Sequence, residues 1–167
     1  KVKLPYDNLP EQLRERVSAL QDSADTLTLS NNSSFRVSTS VRSATLNWLH
    51  ISEYGKICAQ YPEKATEIRT GSFPAAEKGV ITIESTAEGE SGDFYDTVMH
   101  ARELMNRDAV LTEKDFRYFF FPWYRAPEYE MERTNVPISP AEHAYFDKIE
   151  AETGVKISQP KRNWYVT

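Results

Sequence analysis

Two short stretches place reactive residue types at the ends of apolar runs. TLNWLHISEYGK (Thr45–Lys56) ends its apolar portion in Ser52 and Glu53, with glycine two residues on. GVITIESTAEG (Gly79–Gly89) ends in Ser85 and Thr86, again before a glycine. If both runs are strands, these groups sit at carboxyl ends, the edge where open α/β sheets bind ligands. The chemistry they suit is nucleoside triphosphate hydrolysis. A strand-end oxygen helps hold magnesium, a carboxylate polarises water for in-line attack, and a neighbouring hydroxyl senses the γ-phosphate.

Each of these residues also has a plainer reading. A glutamate between a strand and a helix is commonly a first-turn acid that favours the helix dipole. Ser85 and Thr86 are ordinary turn residues, and Glu84 and Glu88 beside them read as a solvated loop. His50, within the apolar run, reads as a packed, hydrogen-bonded core residue rather than a ligand. His100 and His143 fall on helical patterns and read as solvated. A nuclease built from Glu53, Glu84 and Glu88 would need carboxylates spaced for two metals ~4 Å apart, and that spacing is not evident.

The elements that must position these residues follow from periodicity. Leu9, Leu13, Val17 and Leu20 share one helical face, with Pro10 in the first turn. Thr26–Ser30 and Phe35–Thr39 read as strands joined by an Asn31–Ser34 turn, whose two asparagines tolerate positive φ. Thr45–Ile51 reads as a buried strand. Tyr54–Thr70 reads as helix, with Ile57, Tyr61 and Ile68 inward and a break at Pro62. Val80, Ile81 and Ile83 form another strand. A helix starts at Gly92, with Phe94, Val98, Ala101 and Met105 at helical spacing. FRYFFFPWY (Phe116–Tyr124) reads as an aromatic strand closed by Pro122. Ser139 and Gly154 bracket a helix with Pro140 at its first position, and a short helical tail follows. Strands alternating with helices predict an α/β layered core with mainly parallel strands and a helical C-terminal extension.

Bulk properties narrow the setting. The 167 residues suffice for one ordinary domain, which buries roughly 70% of its unfolded surface. A net charge of −5 argues against a general nucleic-acid coat, since phosphate binding relies on clustered Lys and Arg. The single cysteine, Cys58, excludes an intrachain disulfide and a cysteine-based zinc site, and fits a reducing compartment. No apolar run approaches the ~20 residues of a membrane span, and the amino terminus is not signal-like.

FRVSTSVRSATLNWLHISEYGKI, GVITIESTAEGESGDFY and FRYFFFPWYRAPEY together resemble, in order, the large terminase subunit of tailed bacteriophages and prophages, and the similarity extends back to KVKLPYDNLP. That family is the ATP-driven motor that packs double-stranded DNA into a preformed capsid. The resemblance implies a partial P-loop NTPase (RecA-like/ASCE) core over residues 1–125, and a lid or linker extension over 126–167. It makes Thr45–Glu53 the Walker B strand, Glu53 the catalytic glutamate, and Ser85–Thr86 the coupling motif. Ser52 stands where many ATPases carry the magnesium-linked aspartate. Arg42 is either an arginine finger reaching a neighbouring subunit's nucleotide or a surface ion-pair residue.

Also implied are ATP and Mg2+ as cofactors of the whole motor, and a homo-oligomeric ring that works with the portal protein and the small terminase subunit in the bacterial host cytoplasm. No G-x-x-x-x-G-K-[ST] phosphate loop occurs in the chain, and no aspartate cluster for a two-metal nuclease occurs in its tail. The chain is therefore expected to be a middle piece of such a motor, inactive by itself and prone to self-association through an uncovered sheet edge. The competing expectation is a non-enzymatic, prophage-derived binding or assembly module presenting Phe116–Tyr124.

Overall fold

The computed structural model describes residues 3–39, 41, 44–133 and 135–167. The chain is mixed α/β and divides into two compact units, Lys1–Phe116 and Arg117–Thr167.

The first unit opens with two short helices, α1 (Lys3–Asp7) and α2 (Glu11–Arg16), and an antiparallel sheet of β1 (Ala19–Asp22), β2 (Thr26–Leu29) and β3 (Ser34–Arg36) in that order. The β2–β3 turn forms where the asparagines predict it. Asn32 takes φ 65°, and the Ser33 N–H donates to Asn31 Oδ1 at 3.0 Å. The helix predicted across Leu9–Leu20 is shorter than expected, because β1 claims its end. The Ser18 N–H donates to Ser30 Oγ at 3.0 Å, and Ser18 O accepts from the Ser30 N–H at 2.8 Å. Of the proposed apolar face of that helix, Leu9, Leu13 and Leu20 are exposed and Val17 is half-buried.

A second sheet consists of β4 (Trp48–Ser52) and β5 (Val80–Glu84), paired in parallel from Trp48↔Val80 to Ser52↔Glu84. The connection runs through α3 (Tyr54–Gln60), α4 (Pro62–Glu67), a π-helical turn (Ile68–Ser72) and α5 (Phe73–Ala75). Pro62 breaks the helix as predicted, while Tyr61, expected inward, is exposed. After β5 comes α6 (Asp93–Asn106). Parallel pairing among the described residues is confined to β4 and β5, so the mainly parallel layered centre is realised only there.

Nor is β4 buried on both faces. Leu49 and Ile51 point into the core, while Trp48, His50 and Ser52 alternate outward. His50 is thus an exposed residue, not the core histidine its neighbours suggest. The core joins Leu49, Ile51, Tyr54, Ala65, Ile68 and Ala76, with Ile81, Ile83 and Phe94 packed on it. Tyr54 is its anchor. It is fully buried, and its hydroxyl donates to Asp93 Oδ2 at 2.8 Å with the Ala65 carbonyl oxygen 3.3 Å away. Phe73 and Phe94 pack on its ring.

The second unit has a 3-10 turn (Trp123–Arg125) and two helices, α7 (Pro140–Thr153) and α8 (Gln159–Val166). The predicted start and stop of α7 are both present. Ser139 and Glu142 form a capping box, and Gly154 closes the helix at φ 69°. The fully buried Phe146 packs edge-on against Trp123 and Tyr165. Asn163 Nδ2 donates to the Arg133 carbonyl at 2.8 Å, tying the preceding loop to α8.

The aromatic strand predicted at Phe116–Tyr124 does not form. Pro122 lacks an N–H to donate to a ladder, no strand pairs with the segment, and Phe119, Phe120 and Phe121 stand exposed. No helix among the described residues is long and apolar enough to cross a membrane.

Two outcomes follow from this packing. Tyr54→Phe removes the hydroxyl from a buried bond to a carboxylate, and should cost about 1–3 kcal/mol in urea denaturation. Unchanged stability would show that the anchor is the ring alone. In the second unit, Glu150 accepts from Lys156 Nζ at 2.7 Å, the Ile157 N–H at 2.8 Å and Arg162 Nη2 at 3.0 Å. These bonds, led by Lys156, hold its carboxyl down to about 2. A carboxyl depressed on folding stabilises the fold above its ordinary value near 4.5, and that contribution fades as pH falls from there to about 2. Melting temperature should therefore drop more steeply across that window in the wild type than in Glu150→Gln.

Candidate functional site at the strand ends

The parallel register sets the geometry. Ser52 lies opposite Glu84, so the residues that follow each strand, Glu53 on one side and Ser85–Thr86 on the other, leave from the same sheet edge. The Gly55 N–H donates to Ser85 Oγ at 3.0 Å, joining the first turn of α3 to the end of β5. Gly55 is required for this approach. A Cβ there would lie 2.9 Å from Ser85 Oγ, the Thr86 carbonyl oxygen and Phe94 Cδ1.

Glu53 occupies the N-cap position of α3 with left-handed backbone, φ 57° and ψ 36°. A glutamate has no intrinsic preference for that region. Its side chain is exposed and caps nothing, and no ion pair or hydrogen bond joins its carboxylate to a described residue. Strain of this kind gathers at functional sites, where surrounding packing enforces it. Here Tyr54, next in the chain, is the residue that packing holds.

Ser52 is not a free strand-end hydroxyl. Its Oγ donates to Glu84 Oε1 at 2.5 Å, and His50 Nε2 lies 3.8 Å from the same oxygen. Ser85 is half-buried and engaged with Gly55, while Thr86 is exposed. Ser52, Glu53, Ser85 and Thr86 are thus gathered on one edge. Arg42 lies outside the described residues. Sequence reasoning treated Glu84 as a solvated loop residue. Its role as partner of Ser52 depends on the cross-strand register, which no local pattern reveals.

Beside the edge is a small pocket of about 80 Å³, lined by Gly55, Ala87, Glu88, Gly89, Phe94 and Tyr95 among others. Ligand pockets run from ~300 Å³ upward, so this one does not enclose a nucleotide. Among the described residues no group of three or more His, Cys, Asp or Glu is placed to hold a metal ion. Magnesium needs only one or two protein oxygens, with water and phosphate completing its shell. The hydroxyl and carboxylate oxygens at this edge are hard donors of that type. No family model, curated protein or solved structure matches the chain.

The left-handed backbone at Glu53 carries a measurable consequence. Glu53→Gly relieves a conformation that costs a side-chain-bearing residue ~1–2 kcal/mol, offset by glycine's greater unfolded-state freedom. The variant should be more stable by about 0.5–1 kcal/mol in chemical denaturation. A less stable variant would show that the Glu53 side chain is there for the fold.

Proposed function

We propose that the β4–β5 edge is the hydrolytic edge of a nucleoside triphosphatase of the large-terminase kind, part of a motor that drives double-stranded DNA into a phage capsid. The observation that carries this reading is the parallel pairing that sets Glu53 beside Ser85 and Thr86 on one strand-end edge. In it the fold is a partial P-loop NTPase core. Glu53 is the base that polarises the attacking water, and its side chain is exposed and engaged by no described residue. Ser52, the last residue of β4, and Glu53, which follows it, are assigned to the magnesium shell. Ser85 and Thr86 sense the γ-phosphate, and Ser85 is bonded to the first turn of α3 so that its state reaches that helix. Arg42 is assigned to a neighbouring subunit's nucleotide in a homo-oligomeric ring. Magnesium, when bound, would neutralise the charge on the phosphate oxygens. The portal protein and the small terminase subunit are the partners this reading assigns in the host cytoplasm.

A second reading, a non-enzymatic binding or assembly module, is favoured by one observation: Phe119, Phe120 and Phe121 are consecutive and exposed.

ATP hydrolysis in the full gene product separates the two. The 167-residue chain alone, whose sequence has no phosphate loop, should not hydrolyse magnesium–ATP. In the full product, Glu53→Gln should lower kcat by ~10²–10⁴-fold, the range of a general base. A Glu53→Gln enzyme as fast as the wild type, or a full product with no ATPase activity, would overturn the motor reading.

A further inference from the structure

Arg117–Phe121 has the form of a strand and lacks a sheet. Tyr118 and Phe120 stack with ring centroids 6.4 Å apart and planes within 14°, close to the ~6.6 Å that two residues of an extended chain rise. Pro122 continues extended, at φ −74° and ψ 142°. Both ends are tied down. Phe116 packs on Phe73 in the first unit, and Trp123 packs on Phe146 in the second. Between them Phe119, Phe120 and Phe121 are 66%, 65% and 88% exposed. Among the described residues, the backbones of Arg117, Phe119, Phe120 and Phe121 make no hydrogen bond. An extended aromatic segment with open backbone groups is a template for pairing with another chain.

We propose that this partner is a second copy of the chain: two Arg117–Phe121 segments pair antiparallel about a two-fold axis through Phe119, forming an aromatic ribbon that joins two molecules. The order of residues selects this arrangement. In the register centred on Phe119, ladder bonds run from Phe119 to its copy and between Arg117 and Phe121, residues whose backbone groups are open. Tyr118 falls opposite Phe120 as a non-hydrogen-bonded pair, where opposed side chains come closest. Each Arg117 guanidinium falls beside the Phe121 ring of the other copy, a favourable cation–π placement. Parallel pairing would instead set Arg117 against Arg117, like charges directly opposed. A two-fold contact uses the same surface on both copies and stops at two.

Area sets the strength. At ~200 Å² per phenylalanine, the exposed rings bring roughly 900 Å² of apolar surface to a dimer, short of the ~1,200 Å² at which stable interfaces begin. Backbone and Tyr118 add to this, so the dimer is weak and depends on concentration, micromolar rather than nanomolar. The pairing needs no nucleotide and goes beyond both readings above by naming what covers the phenylalanines.

Sedimentation equilibrium of the 167-residue chain across the micromolar range should show monomer and dimer exchanging. Phe119→Lys sets like charges on the two-fold axis and should raise the dissociation constant by ~10-fold or more, the loss typical of an aromatic anchor removed from an interface centre. Amide NMR positions unchanged away from the segment confirm that this variant is folded. Register is read by cysteine pairing in a Cys58→Ala background, where the introduced thiol has no other thiol in its own chain. Phe119→Cys would meet its copy with Cα atoms ~4.5–5.5 Å apart, within disulfide reach, and should give a covalent dimer on mild oxidation. Tyr118→Cys mixed with Phe120→Cys should cross-link one to the other in preference to itself.

A chain that stays monomeric throughout, a dimer indifferent to Phe119→Lys, or a Phe119→Cys chain that does not cross-link overturns the proposal. Open-ended oligomers in place of a discrete dimer also overturn it, since the segment would then be entering a sheet edge of the next copy.

Discussion

A phenol with no exposed surface needs a partner for its hydroxyl, and for Tyr54 that partner is Asp93. Much of the first unit depends on this bond. Tyr54 opens α3 and Asp93 opens α6, so one contact fixes the amino ends of two helices relative to each other. Arg69, from the π-helical turn, reaches Asp93 Oδ1 at 3.6 Å and lies over the Phe73 ring. Burial, and then the Asp93 carboxylate, push the Tyr54 phenol far above its ordinary titration range, so it remains a donor at any pH the fold experiences. With α3 held at its first residue, the next, Gly55, is brought against Ser85, and the preceding one, Glu53, is forced into left-handed backbone. The site's geometry follows from a core contact.

The parallel sheet that carries the site is covered on one face only. Purely parallel sheets are almost always covered on both, which makes the outward face of β4 and β5 unusual. Its chemistry shows how it is tolerated in water. Trp48 Nε1 donates to Thr82 Oγ1 at 2.9 Å, Trp48 stacks near His50, and Ser52 donates to Glu84. Cross-strand polar pairs of this sort each contribute ~0.2–1 kcal/mol and leave few unsatisfied side-chain groups. The inward face, by contrast, is aliphatic. The outward face of β4 thus meets β5 through one register pair, Ser52 with Glu84, and one diagonal pair, Trp48 with Thr82.

The parts of this fold that are legible in sequence are those decided within a few residues. The Ser139 capping box, the Gly154 stop, the break at Pro62 and the Asn31–Asn32 turn rest on local backbone and side-chain hydrogen bonds, and local pattern finds them. Strand β4 is found, but His50, read as a core residue, is exposed, because which face of a strand is covered depends on elements far along the chain. The helix expected through Leu20 loses its end to β1 for the same reason: pairing with β2 across the intervening turn outcompetes a weak amphipathic face. Phe116–Tyr124 has strand composition but no partner, and composition cannot supply one. At the site, the residue types at both strand ends were readable. Their meeting on one edge, and the bond from Ser52 to Glu84, come from register.

Register also explains why the carboxylate belongs where it is. Parallel strands joined by a helical crossover send both carboxyl ends to the same side, so groups thirty residues apart in the chain become neighbours without any long-range loop to order. What remains is orientation. Three features restrict it here. Tyr54 pins the residue after Glu53, Gly55 removes the Cβ that would hold α3 away from Ser85, and the left-handed turn at Glu53 aims the chain from strand into helix within one residue. An exposed glutamate with ordinary backbone would gain freedom and lose direction. The left-handed turn at Glu53 lies one residue from the buried Tyr54 hydroxyl, so the packing that holds Tyr54 also sets the direction in which β4 passes into α3.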